Sequence, residues 1–152
     1  MTPGEFELGT DGPSVILAGV DESVTASRAG SYAAGLARRQ GARLVIVYVQ
    51  TTGSYVITSS AGASVLAAEA QVRSEIAEEL SALADERARE LGIPMTFITT
   101  QGDPFHEISR IAQETRADAI VVGASLKAGH RLLGSLAVRL VRAGKWPVTV
   151  VP

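Results

Sequence analysis

No cysteine occurs in the 152-residue chain, so disulfides and thiolate metal sites are excluded and a reducing, cytoplasmic compartment is expected. No run reaches the eighteen or so apolar residues that a membrane span needs. The opening residues, MTPGEFELGTDG, lack the basic start and apolar centre of a signal peptide. Pro3, Gly4, Gly9 and Gly12 discourage regular structure there, so residues 1–12 read as a flexible tail and 13–152 as one domain. A domain of this length buries roughly 70% of the surface its unfolded chain exposes and needs no staple. The two histidines, His106 and His130, show no HxxxH spacing; without cysteine to help, no zinc site is expected, and His106 is expected to lie exposed in the first turn of a helix. Net charge is −2, which gives no general attraction to nucleic acid, and neither nucleic acid nor membrane is expected as a partner. Acidic residues are missing altogether from 119–152, where Lys127, Arg131, Arg139, Arg142 and Lys145 contribute +5; residues 1–118 therefore carry −7. Arg139 and Arg142, three apart on a helix, read as a solvated face.

What is present is an alternation of strand and helix signals. SVILAGV (14–20) is a short buried strand. In 23–40, Ala29, Tyr32, Ala33, Leu36 and Ala37 recur at helical spacing, and Gly41 stands where a helix ends. ARLVIVYVQ (42–50) is apolar on both faces, as a central strand is. Residues 51–64, rich in Ser, Thr and Gly, read as a long loop. A helix of about 65–91 follows, with Val72, Ile76, Leu80, Leu83 and Ala84 on its inner face and Gly92 as its stop. MTFITT (95–100) is a more polar strand, expected near an edge. Asp103 and Pro104 open the next helix as N-cap and first residue, with Phe105, Ile108, Ile111 and Ala112 inward. DAIVVG (118–123) is a buried strand. Leu133–Ala143 reads as a helix with Leu133, Leu136, Ala137, Leu140 and Val141 inward, and WPVTVVP (146–152) closes the chain as a strand.

Strands joined through helices run parallel with right-handed crossovers. The expected fold is a three-layer α/β/α sandwich with a five-stranded parallel sheet in the order 3-2-1-4-5. Winding reverses between strands 1 and 4, and ligands of such sheets sit at the carboxyl ends of the strands beside that reversal. Val20, Asp21 and Glu22 fall there, and so does GASLKAGHRLLGS (123–135). Gly123 and Gly129 would let backbone amides approach a phosphate. Gly134 and Ser135 open the last helix, whose N-terminus favours anions, and Lys127, His130 and Arg131 would offset charge. The same stretch also reads as a plain connector in which Ser125 or Ser135 caps a helix.

VILAGVDES, GDPFHEISRIAQETRADAIVVG and VVGASLKAGHRLLGSLAVRLVRAGKWPVTVV, in this order, resemble the universal stress protein family from about residue 14 to 151. The resemblance implies an adenine-nucleotide (ATP, ADP or AMP) site in a dimeric stress-response module, with magnesium arriving on the nucleotide. Nucleotide-binding members carry glycine, two residues, glycine, nine residues, glycine, then Ser or Thr. Gly123 matches the first glycine and Gly134-Ser135 the last pair; Leu126 stands at the middle glycine and the loop is two residues shorter. Either Gly129 takes over the turn or the Leu126 side chain blocks the triphosphate path. The resemblance further places Asp21, preceded by Val20, against adenine or ribose, Leu44 against adenine, and Leu136 after the glycine pair. Asp21 reads equally as a helix N-cap, and Leu44 as plain core. A homodimer through the last strand (Val148, Val150, Val151) is implied, and an open apolar edge agrees with it. A dimeric interaction or scaffold member that binds no nucleotide is the alternative.

Other chemistry lacks its residues. No acid follows Ser125, as a hydrolase with a serine elbow requires. Thr99, Thr100 and Gln101 stand where a phosphate-receiver domain needs aspartate. A serine-glycine-glycine loop after the first strand and the pattern GxxxxGK[ST] are both missing. No general base is identifiable, so any ATP hydrolysis would be slow and incidental.

Overall fold

The computed structural model describes residues 12–51, 60–125 and 135–152. Along the chain it forms β1 (Val15–Val20), α1 (Val24–Gln40), β2 (Arg43–Gln50), α2 (Ser60–Leu91), β3 (Met95–Gln101), α3 (Pro104–Glu114), β4 (Ala119–Gly123), α4 (Ser135–Ala143) and β5 (Val148–Val151). The five strands pair in the order β3-β2-β1-β4-β5, all parallel, as the alternation of elements requires.

Strand periodicity divides the core into two halves. Ile16, Ala18, Leu44, Ile46 and Val121 face α1, where Ala29, Ala33, Ala34 and Ala37 are buried. Leu17, Val45, Val47, Ile120 and Val122 face the other way, onto Ile108, Ile111 and Ala112 of α3 and Ala137 and Leu140 of α4. Alternate residues of β2 thus meet different helices, which is why its sequence is apolar without a break from Leu44 to Val49. The alanine face of α1 lets that helix lie close to the sheet.

Helix ends follow local chemistry. Gly41 takes the left-handed conformation (φ 63°), and the amide of Ala42 closes back onto the Ala37 carbonyl at 2.9 Å. Asp103 caps α3 by accepting from the His106 amide, with Pro104 at the first helical turn. Four expectations change. The Asp21 carboxylate does not cap α1; Ser23 does, its hydroxyl accepting from the Ala26 amide. The loop assigned to 51–64 ends early, since α2 begins at Ser60; residues 52–59 lie outside the described part. Val72 and Leu83 of α2, expected inward, are 53% and 56% exposed: this 32-residue helix is far longer than the strands it packs on, and β3, β2 and α1 cover only part of it. Tyr32 and Val141 are likewise exposed. The tail (residues 1–11) and Leu133 also lie outside the described residues.

Gly123 ends β4 with strand pairing to Val151 of β5. A Cβ on it would lie 2.6 Å from the carbonyl carbon of Thr25 and 2.7 Å from the Ala26 nitrogen, both backbone atoms of the first turn of α1. Glycine is needed here because a helix backbone crosses the strand end and leaves no room for a Cβ. Gly123→Ala is therefore expected to destabilise the fold by about 1–3 kcal/mol, as an overpacked substitution does, measured as a lowered urea midpoint with an unchanged slope.

Candidate functional site

A cleft of about 500 Å³ opens at the carboxyl ends of β1, β2 and β4, beside the reversal of winding. Its β1 side is Gly19, Val20, Asp21, Glu22 and Ser23, leading into Thr25 and Ala26 of α1. One wall is apolar: Val47, Val49, Ile108, Val122 and Leu136. The other is polar, formed by Tyr48, Gln50 and Thr51 of β2 and its end, with Arg73 of α2. Alternation along β2 produces the two walls, since Val47 faces α3 and α4 while Tyr48 lies on the opposite side of the sheet. Gly123, Ala124 and Ser125 form the β4 side.

Of the residues singled out from the sequence, Val20, Asp21, Gly123, Ser125 and Leu136 meet in this cleft. Leu44 does not. It is fully buried among Ile16, Ala33 and Ala37, three residues (about 10 Å) upstream of Val47 at the amino end of β2. The β2 residues that do line the cleft are Val47, Tyr48, Val49 and Gln50. The signal that locates them is strand direction: ligands meet carboxyl ends, which excludes Leu44. Leu126, Lys127, Gly129, His130, Arg131 and Gly134 lie outside the described residues, as does the side chain of Ser135, whose backbone begins α4.

Hydrogen bonds hold the rim. The Asp21 Oδ1 accepts from the Ser23 amide at 2.8 Å, bracing the turn into α1. The Thr25 hydroxyl, buried beneath the turn, donates to the Ala124 carbonyl at 2.7 Å. The Ala124 amide donates to the Val151 carbonyl at 2.8 Å. Both main-chain groups of Ala124 are thus engaged, so the first residue after β4 has no amide free for an anion. On the polar wall, Tyr48 is only 3% exposed and donates its hydroxyl to Glu22 Oε1 at 2.8 Å. Burial, then this hydrogen bond, then the charges of Glu22 and Asp21 push the phenol up to about 12, against a smaller opposing pull from the Arg73 guanidinium. Gln50, 8% exposed, accepts from the Gln101 side-chain amide at 3.1 Å and donates to the Arg73 carbonyl at 3.2 Å. Below Pro104, Arg139 of α4 pairs with Asp103 at 2.9 Å and stacks over Phe105 at 4.4 Å, so it is bound across the α3–α4 seam rather than merely solvated. This hydrogen bond from Arg139, assisted by the His106 amide, holds the Asp103 carboxyl below its usual range. His106 is exposed, as expected. Among the described residues, no group of three or more His, Asp or Glu side chains is placed to hold a metal, and no helix is long and apolar enough to cross a membrane.

The model of the universal stress protein family matches residues 14–152. The chain belongs to that family. It is 33% identical over 144 residues to the universal stress protein YxiE of Bacillus subtilis, covering 90% of this chain and 97% of the relative. Among solved structures, the universal stress protein UspA from Lactobacillus plantarum is similar at 26% identity with a TM-score of 0.78, covering 91% of this chain and 97% of that one. A universal stress protein solved in complex with cAMP is 28% identical with a TM-score of 0.66, covering 92% and 97% respectively.

The tyrosine of the polar wall gives this stress protein a pH signature. Folding raises the phenol from 10.0 to about 12, so the folded state disfavours the phenolate. The associated stability is complete below about pH 10 and is lost as pH rises through about 12. Urea unfolding at about pH 9 and about pH 11 is expected to show this loss in the wild type and a smaller loss in Tyr48→Phe.

Proposed function

We propose that the protein is a dimeric, cytoplasmic stress-response module that binds an adenine nucleotide (ATP, ADP or AMP) in the cleft between β1 and β4. The observation that carries this reading is the cleft itself: it stands at the reversal of winding, and its volume falls in the range of small-molecule sites. The residues suit the ligand. Val47, Val49, Ile108 and Leu136 offer an apolar wall to a base. Asp21 Oδ2 makes no hydrogen bond among the described residues, so it can accept from ribose hydroxyls or an exocyclic amine. Phosphates would extend toward the start of α4, where the resemblance assigns Gly134 and Ser135, with Lys127 and Arg131 nearby in sequence and magnesium accompanying the nucleotide. A family member of similar fold holds cAMP, which supports the same ligand class. Binding is the activity proposed for the cleft, with any ATP hydrolysis slow and incidental.

A second reading, a dimeric scaffold member without nucleotide, is favoured by Leu126 at a glycine position, by the loop two residues short, and by the engaged amide of Ala124. Mass spectrometry of the gently denatured, purified protein is expected to find ATP, ADP or AMP. ATP with magnesium is expected to raise the melting temperature, since ligand at a hundred times its Kd adds about 2.7 kcal/mol. Gly134→Asp, which adds a carboxylate at the position assigned to phosphate, is expected to abolish that shift. Absence of both nucleotide and shift in the wild type would establish the scaffold reading.

The dimer is proposed to form through β5. Pro147 and Val151 turn their carbonyls to β4, accepting from Ile120 and Ala124. Strand alternation therefore turns the main-chain groups of Val148 and Val150 to the open edge. Val150→Pro removes one outward N–H without touching the β4 ladder. It is expected to convert the dimer to a folded monomer in sedimentation velocity.

A further inference from the structure

The polar wall carries a cation that the fold does not use. Arg73 lines the cleft from α2, and among the described lining residues it is the only Lys or Arg. Its side chain is 23% exposed, so it is largely withdrawn from water. The one carboxylate within ion-pair distance among the described residues is Glu69, whose Oε2 stands 3.8 Å from Nη1, too far for a hydrogen bond. Glu22, on the adjoining β1 side of the cleft, is occupied by the Tyr48 hydroxyl at 2.8 Å. A guanidinium offers five donors in a planar fork suited to phosphate or carboxylate oxygens. Here none of them has a tight acceptor among the described residues.

The backbone that carries Arg73 is nevertheless fastened. The buried Gln50 side chain donates to the Arg73 carbonyl and accepts from Gln101, linking α2 to β2 and β3 through two amide groups. These bonds satisfy the buried amide of Gln50 and at the same time fix the helical turn from which the Arg73 side chain projects into the cleft.

We infer that Arg73 is a ligand-binding residue of the cleft, making a charge-assisted contact to a phosphate group of the bound nucleotide, and that Gln50 is its positioning residue. This rests on the nucleotide reading above. The assignment also supplies an anion contact that the engaged amide of Ala124 cannot.

The test is isothermal titration of the wild type, Arg73→Met and Gln50→Met with adenosine and with AMP. A charge-assisted hydrogen bond corresponds to roughly 10- to 100-fold in affinity. Arg73→Met is expected to weaken AMP by that factor, leave adenosine within about twofold, and flatten the salt dependence of AMP binding. Gln50→Met is expected to weaken AMP less, and to have no further effect in the Arg73→Met background, as residues acting through one another do. Equal losses for adenosine and AMP, or AMP binding unchanged in Arg73→Met, would overturn the assignment while leaving the nucleotide reading intact. A folded wild type that binds neither compound overturns both. Independently, the Arg73 guanidinium resonance of the wild type is expected to shift on addition of AMP but not adenosine; a shift equal for both compounds would also overturn it.

Discussion

The site depends on one close approach: the first turn of α1 lies directly across the end of β4. Gly123 has no Cβ because the Thr25 and Ala26 backbone occupies its space, and Thr25 ties the two segments by donating to the Ala124 carbonyl. β1 and β4 already pair side by side from Ile16 and Ala119 to Gly19 and Val122, and this contact lays the first turn of α1 across their ends as a floor. The buried alanines of α1 serve the same purpose farther along, letting the helix settle on Ile16, Ala18 and Val121. Small residues are chosen here because a closely packed interior leaves no room for larger ones.

From this floor the cleft acquires two walls of different chemistry. β2 is buried on both faces for most of its length, so its alternating side chains pass to opposite sides of the sheet. At its carboxyl end the same alternation brings Val47 and Val49 to one wall of the cleft and Tyr48 and Gln50 to the other. The tyrosine binds Glu22 and leaves Arg73 without a close anionic partner, while Gln50 binds the carbonyl of Arg73 and leaves its guanidinium unspent. An amphipathic cleft of this kind suits a ligand with a flat apolar part and a charged part.

Much of the architecture was legible from local patterns. Gly41, Asp103 and Pro104 stand at helix ends for reasons of backbone geometry and capping, which act within a few residues and can be read from the chain. The apolar runs at 14–20, 42–50 and 118–123 announce parallel strands because both faces are covered. Local patterns do not decide where the path of the chain or distant neighbours set a residue's surroundings. Val72 and Leu83 have helical spacing suited to burial, but α2 is far longer than the strands it packs on and leaves them in water. Asp21 and Ser23 are both good caps, and only the path of the turn assigns the task to Ser23. The resemblance puts Leu44 against adenine, whereas its strand carries it, fully buried, to the amino end of the sheet.

By itself, the sequence determined the elements, their parallel pairing in the order 3-2-1-4-5, and the kinship with universal stress proteins. These follow from periodicity, turn chemistry and motif order, all of which are local or linear properties. Only the tertiary structure decided that Tyr48 meets Glu22, that Gln50 meets Arg73 in the same cleft, and that Gly123 yields to a crossing helix. Tyr48 and Glu22 lie 26 positions apart and Gln50 and Arg73 lie 23 apart, and no spacing rule connects them. Their meeting is set by where α2 packs on the sheet and where α1 crosses β4.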